Sequence, residues 1–157
     1  MSHIVRIAVG KRDSLGRVTN ADVQWSRLAE RCARTEWGSE SLDEYLALST
    51  EEQSARKNVG FFVGGPCEGG WRTARSIRER HLIVLDVDWA TPALLASILD
   101  GTNGLCRYEF VAYSTRKHTP EKPRIRVVLP LSKPVLPVAF TALSRILASR
   151  LDPRSEE

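Results

Sequence analysis

Two aspartates separated by one residue, Asp86 and Asp88, close an apolar run in the stretch His81-Leu82-Ile83-Val84-Leu85-Asp86-Val87-Asp88-Trp89. The run has strand length and is rich in β-branched side chains, so it reads as a strand buried on both faces. Side chains alternate across a strand, which puts Asp86 and Asp88 on one face with Cα atoms roughly 6.5–7 Å apart. Desolvation and mutual repulsion both oppose two like charges side by side on a buried strand. A divalent cation removes that objection, because carboxylates suit hard ions such as Mg²⁺ and Mn²⁺. The competing reading ends the strand at Leu85 and leaves both aspartates as solvated loop residues.

A second group of chemically able residues follows. Ser114-Thr115-Arg116-Lys117-His118 opens a polar loop, and Arg124-Ile125-Arg126-Val127-Val128-Leu129-Pro130 reads as the strand after it. Arg124 and Arg126 then share one strand face and Ile125 and Val127 the other. Two arginines on one face are costly unless that face is wet or meets anions. Carboxylates hold metal, metal and arginine neutralise a polyphosphate, and a histidine donates to phosphate or shuttles a proton. That is equipment for phosphoryl or nucleotidyl transfer from a nucleoside triphosphate, where positioning and charge stabilisation carry the catalysis. On its own His118 would be a solvent-exposed loop histidine; beside the aspartates and Arg124/Arg126 it reads as a site residue.

Other basic residues crowd 72–80, where Arg72, Arg75 and Arg78 recur at helical spacing. They follow Gly64-Gly65-Pro66-Cys67-Glu68-Gly69-Gly70, which allows close backbone approach to phosphate or nucleic acid, or forms a flexible hairpin loop. No P-loop lysine pattern accompanies it, which favours the hairpin.

The elements that must position these groups read in order. Residues 3–9 alternate as a first strand, and Lys11 to Asn20 reads as a loop. Asn20 is placed to cap a helix running to about Arg34. Ser41 starts a second helix, Leu42 to Leu48, and Thr50-Glu51-Glu52-Gln53 fits a capping box for a third ending near Asn58. Residues 59–63 form a short strand. Thr91-Pro92 starts a helix that runs Ala93 to Leu99. Cys106 to Tyr113 reads as a further strand, so strand, helix and strand suggest a βαβ-like crossover. An amphipathic helix from Val138 to Arg150 comes last. The expectation is one domain over 1–157, with a helical N-terminal part (1–58) and a motif-bearing core (59–152).

At 157 residues the chain is long enough for one proper core, and 42% hydrophobic with 27% charged residues is ordinary for a soluble globular protein. No apolar run approaches a membrane span and the N-terminus is too polar for a secretory signal. Three cysteines, Cys32, Cys67 and Cys106, have neither zinc-ligand spacing nor a disulfide framework, which makes a reducing cytoplasm the expected location. The net charge of +4 is compatible with a polyanionic partner.

Taken together, Leu82-Ile83-Val84-Leu85-Asp86-Val87-Asp88 and then Tyr113-Ser114-Thr115-Arg116-Lys117-His118 through Arg124-Ile125-Arg126-Val127-Val128-Leu129-Pro130-Leu131 resemble the archaeo-eukaryotic primase superfamily. The nearest likeness is to the primase-polymerase modules of phages, plasmids and other mobile elements. Two acids separated by one residue form that family's first motif, matched by Asp86 and Asp88. A serine-histidine motif is the second, matched by Ser114 and His118 at a looser spacing; in the tighter form Arg116 would take the histidine place. A later acid is the third, for which Asp152 stands after the last helix. The likeness covers roughly 59–152, and its weight comes from several motifs in the right order. It implies an α/β (α+β) fold: a mixed sheet related to the RNA-recognition fold and backed by helices, shortened here at its C-terminal end. It implies primer synthesis or extension on single-stranded DNA from nucleoside triphosphates. Mg²⁺ or Mn²⁺ would be held by Asp86, Asp88 and Asp152, and the triphosphate by His118, Arg124 and Arg126. Arg72 and its neighbours would track the template, and a helicase domain or protein is the further partner suggested. The rival from another class is a catalytically silent module of the same fold that binds DNA. A metal-dependent nuclease and an Asp-x-Asp phosphatase also use such carboxylates, although the phosphatase usually carries its motif on the first strand.

Overall fold

The computed structural model describes residues 3–11, 15–57 and 59–151. The alternating apolar residues near the start of the chain form β1 (Ile4–Gly10), which pairs antiparallel with β2 (Thr19–Gln24) and with β3 (Phe61–Val63) in the order β2-β1-β3. A second antiparallel sheet holds β4 (Arg80–Val87), β5 (Val111–Ser114) and β6 (Ile125–Val135) in the order β4-β6-β5. Five α-helices accompany the sheets among the described residues: α1 (Trp25–Ala33), α2 (Leu42–Ala47), α3 (Thr50–Lys57), α4 (Pro92–Leu99) and α5 (Pro137–Leu151). None is long and apolar enough to cross a membrane.

β4 and β5 both run antiparallel to β6, which lies between them, so they are parallel to each other and joined through α4. This is the βαβ crossover in its split form, as in ferredoxin-like folds. The chain is therefore α+β, with every described ladder antiparallel.

The apolar run of β4 is buried on both faces, as its composition requires. Ile83 and Val87 join Ile125, Val127 and Leu129 of β6 in a layer closed by Leu94 and Ile98 of α4 and Leu147 and Leu151 of α5. On the opposite face Leu82 and Val128 pack with Val5 and Ile7 of β1 and with Trp25 and Leu28 of α1. Fully burying one such side chain contributes about 1.5–3 kcal/mol, so β4 is the member that ties the two sheets into one core.

Local signals hold where they depend on near neighbours. Thr91 Oγ1 accepts from the Leu94 backbone N–H at 3.1 Å, with Pro92 in the first turn of α4. Ser41 and Glu44 form a reciprocal capping box at α2. The third helix is capped one residue earlier than Thr50: Ser49 Oγ accepts from Glu52 N, and Glu52 Oε2 accepts from Ser49 N at 2.9 Å.

Three expectations give way to tertiary pairing. The helix cap at Asn20 does not form, because Thr19–Gln24 pairs along β1, and the Asn20 amide instead exchanges two hydrogen bonds with the Cys67 backbone. Residues 72–80 do not form a helix; only Ala74–Ser76 makes a 3-10 turn, and the arginines diverge. The strand expected from Cys106 starts at Val111, since Asn103 caps a 3-10 turn over Gly104–Arg107.

Gly64 and Gly65, which open the glycine run, are packing devices. The Gly64 carbonyl accepts from His81 N at 2.7 Å and from Leu82 N at 3.0 Å, which docks β3 onto the start of β4. A Cβ at Gly65 would stand 2.1 Å from the Glu79 carbonyl oxygen. Gly65→Ala must push two backbones apart and is expected to cost about 1–3 kcal/mol, the range for overpacking. A urea melt of the variant with an unchanged midpoint would contradict that packing role.

Candidate functional site

Register builds the site. β4 pairs Asp86 opposite Arg126, and β5 pairs Tyr113 opposite the same Arg126. The row Asp86–Arg126–Tyr113 thus crosses all three strands on the face toward α1, where Leu82, Val84, Val128 and Val111 precede it. Arg126 Nε donates to Asp86 Oδ1 at 2.5 Å. Arg124, one residue before β6, donates from Nη1 to Asp88 Oδ1 at 3.3 Å. Asp86 and Asp88 share a face as expected, with Val87 buried between them. Their side chains are 56% and 64% exposed, so the objection to two neighbouring carboxylates is met by water and by one arginine each.

Ser114 ends β5, and the loop after it turns back on itself. Thr115 N donates to the Arg124 carbonyl at 2.9 Å, His118 N to the Thr115 carbonyl at 2.9 Å, and Arg124 N to His118 Nδ1 at 3.2 Å. An accepting Nδ1 leaves the proton of the neutral ring on Nε2. Arg116 lines the same cleft but is engaged at its wall: it is paired with Glu40 and its guanidinium lies 4.7 Å from the centre of the Tyr45 ring. It therefore fastens the loop to α2 and does not take the histidine place.

The electrostatics follow from half-burial. Burial works against the charge of Arg126, but hydrogen bonds to Asp86 and Tyr113 outweigh it and hold the guanidinium above its ordinary value. Burial also pushes the Tyr113 phenol up, partly opposed by the hydrogen bond with Arg126. Cys32 of α1 is likewise raised by burial, with Arg126 and Arg31 acting against the shift. The three groups stand in one electrostatic neighbourhood.

Asp86, Asp88, Ser114, His118, Arg124 and Arg126 all line one open cleft of about 1790 Å³. Lysines and arginines outnumber carboxylates two to one in its lining, so the cleft is electropositive despite the aspartates. Arg72 is not among the lining residues. Its guanidinium lies 4.8 Å from the Phe61 ring centre, while Arg78 is paired with Glu68 and Arg80 covers Phe140. The arginine group of 72–80 therefore faces three different places. Asp152 lies outside the described residues; Leu151 before it is buried in the α4–α5 layer, on the sheet face opposite Asp86. Among the described residues no group of three or more His, Cys, Asp or Glu is arranged to hold a metal ion.

Two parts of the site were not singled out from sequence. Tyr113 enters through strand register alone. Arg27, Arg31 and Arg34, which line the cleft from α1 and its C-cap, had a legible signal: their spacing of four and three residues places them on one helical face.

The model of the VapE N-terminal domain family matches residues 2–153. The chain belongs to that family. The match runs through β1, β2 and the three N-terminal helices as well as the motif-bearing strands. In a VapE N-terminal domain the α1 wall of the cleft is thus as much part of the unit as the aspartate strand. Membership is consistent with a mobile-element origin and points to a replication-associated module. No curated protein and no solved structure gives a match.

Proposed function

We infer that this domain joins nucleotides on a single-stranded DNA template, as a primase-polymerase module of the archaeo-eukaryotic primase type working beside a helicase domain or protein. The observation that carries this reading is the row of Asp86, Asp88, Arg124 and Arg126 facing one electropositive cleft. Each aspartate engages an arginine through Oδ1, and no described residue bonds either Oδ2. Two carboxylates completed by water and substrate phosphates are a ligand set that Mg²⁺ or Mn²⁺ accepts. Bound there, the ion would neutralise phosphate charge and make a hydroxyl more acidic.

The chain's own groups do the rest. Arg124 and Arg126 exchange a carboxylate partner for phosphate oxygens, to which a guanidinium fork is well matched. His118, held through Nδ1, presents Nε2–H to the same anion, and Ser114 lines the same cleft at the end of β5. In the reaction a 3′-hydroxyl oxygen bonds to the α-phosphorus, pyrophosphate leaves, and the hydroxyl proton passes to solvent or a nearby base. Asp152 is carried as the third carboxylate by resemblance.

A second reading is a silent module that binds nucleotide and DNA. The pairing of each aspartate with an arginine, Asp86 with Arg126 and Asp88 with Arg124, favours it. Incorporation of labelled nucleotide on a primed single-stranded template with Mn²⁺ decides between them. Incorporation that Asp152→Ala abolishes supports the first reading in full. Strand and nucleotide binding without incorporation establishes the second, and activity untouched in Asp152→Ala removes that residue from the site.

A further inference from the structure

We propose that the outer face of α1 with Trp37 is the track on which the single-stranded nucleic acid lies, separate from the Arg124/Arg126 phosphate site. This deepens the nucleotidyl-transfer reading and rests on it. The helix buries Trp25 and Leu28 against the sheet and is pinned there by Trp25 Nε1 donating to Glu109 at 2.6 Å. Its other side presents Arg27 and Arg31, continued by Arg34 at the C-cap. All three are exposed and, among the described residues, none is in an ion pair. They span about 10.5 Å of helix rise. An unpaired cationic row of that kind fits a run of backbone phosphates.

Charge alone would suit any polyanion. Trp37 is what selects a single strand: it lines the same cleft and is 91% exposed. A tryptophan held in water beside a row of arginines offers a stacking face that unpaired bases can use and stacked duplex bases cannot. The row also reaches the reacting groups, since Arg31 and Cys32 of α1 line the same cleft as Tyr113 and Arg126, and Cys32 and Tyr113 pack on one cluster. A strand along α1 therefore delivers its end to the Asp86–Arg126–Tyr113 row.

The test is fluorescence anisotropy of labelled oligo-deoxythymidine and of a duplex of equal length, over a salt series. Nucleoside triphosphate affinity is measured in parallel. Arg27→Ala/Arg31→Ala should weaken the single strand about tenfold or more and flatten the log–log salt slope by about 1.4. Trp37→Ala should weaken it roughly 5- to 150-fold, the span of one stacked base, with little change for duplex. Arg72→Ala should bind like the parent, and all variants should keep triphosphate affinity and the parent's circular dichroism. Unchanged strand affinity in the double and Trp37 variants would overturn the track, as would equal losses on duplex. Failure of the two ideas is separable. Strand losses as expected in a protein that incorporates nothing leave the track standing and remove the transfer reading. Normal incorporation with unaltered strand binding in the variants removes the track alone.

Discussion

Asp86→Ala should abolish Mn²⁺-dependent nucleotide incorporation, by at least about 10²-fold, while leaving the fold in place. The carboxylate stands at the end of β4 on the cleft face, away from the layer of Ile83, Val87 and Leu129 that holds the sheet to α4 and α5. Its pair with Arg126 is more than half exposed on the aspartate side, and exposed pairs are worth at most about 1 kcal/mol. Tyr113 still stands opposite Arg126 on β5 when Asp86 is removed, so the guanidinium keeps a polar neighbour. Metal-free triphosphate affinity should stay or rise, because a negative charge has left a phosphate-binding cleft. Incorporation assays with and without Mn²⁺, alongside a urea melt, read both halves. Near-parental incorporation would show that Asp86 has no part in the chemistry.

Arg126→Ala is the second large effect, and it falls on binding. Arg126 is the centre of the row, with Asp86 on one side and Tyr113 on the other, and half-burial strengthens what its guanidinium can do for an anion. Loss of a charge-assisted contact of this kind costs about 1.5–3 kcal/mol, or roughly 10- to 150-fold in triphosphate affinity. The same variant leaves Asp86 facing the cleft with no counter-charge, which opposes phosphate further. Arg126→Lys should recover only part of the affinity, because an ammonium cannot reproduce the fork. Titration calorimetry with a nucleoside triphosphate measures it. Parental affinity in Arg126→Ala would place the phosphate elsewhere in the cleft.

What the amino-acid sequence determines by itself is whatever depends on neighbours within a few residues. The period of two along Leu82–Asp88 sets the shared face of Asp86 and Asp88, and Thr91-Pro92 and Ser41-x-x-Glu44 mark helix starts by chemistry that is complete within one turn. The same holds for Arg124 before the strand and Arg126 within it, whose co-facial placement needs only a strand. Tertiary structure decides the rest. Thr19–Gln24 carries a plausible helix cap, yet β1 offers it six register partners and the strand wins. Arg72, Arg75 and Arg78 have helical spacing without a helix, because Arg72 N donates to the Gly16 carbonyl at one end of their segment and Ile77 bridges Cys67 at the other. No local rule could bring Tyr113 to Arg126 or Arg126 to Asp86. Those contacts come from the register of β5 and β4 on β6, and register is set by burying Val127 and Leu129 on one face and Val128 on the other. A slip of one residue would send Arg126 into the α4–α5 layer, and the cost of burying that charge keeps the row aligned.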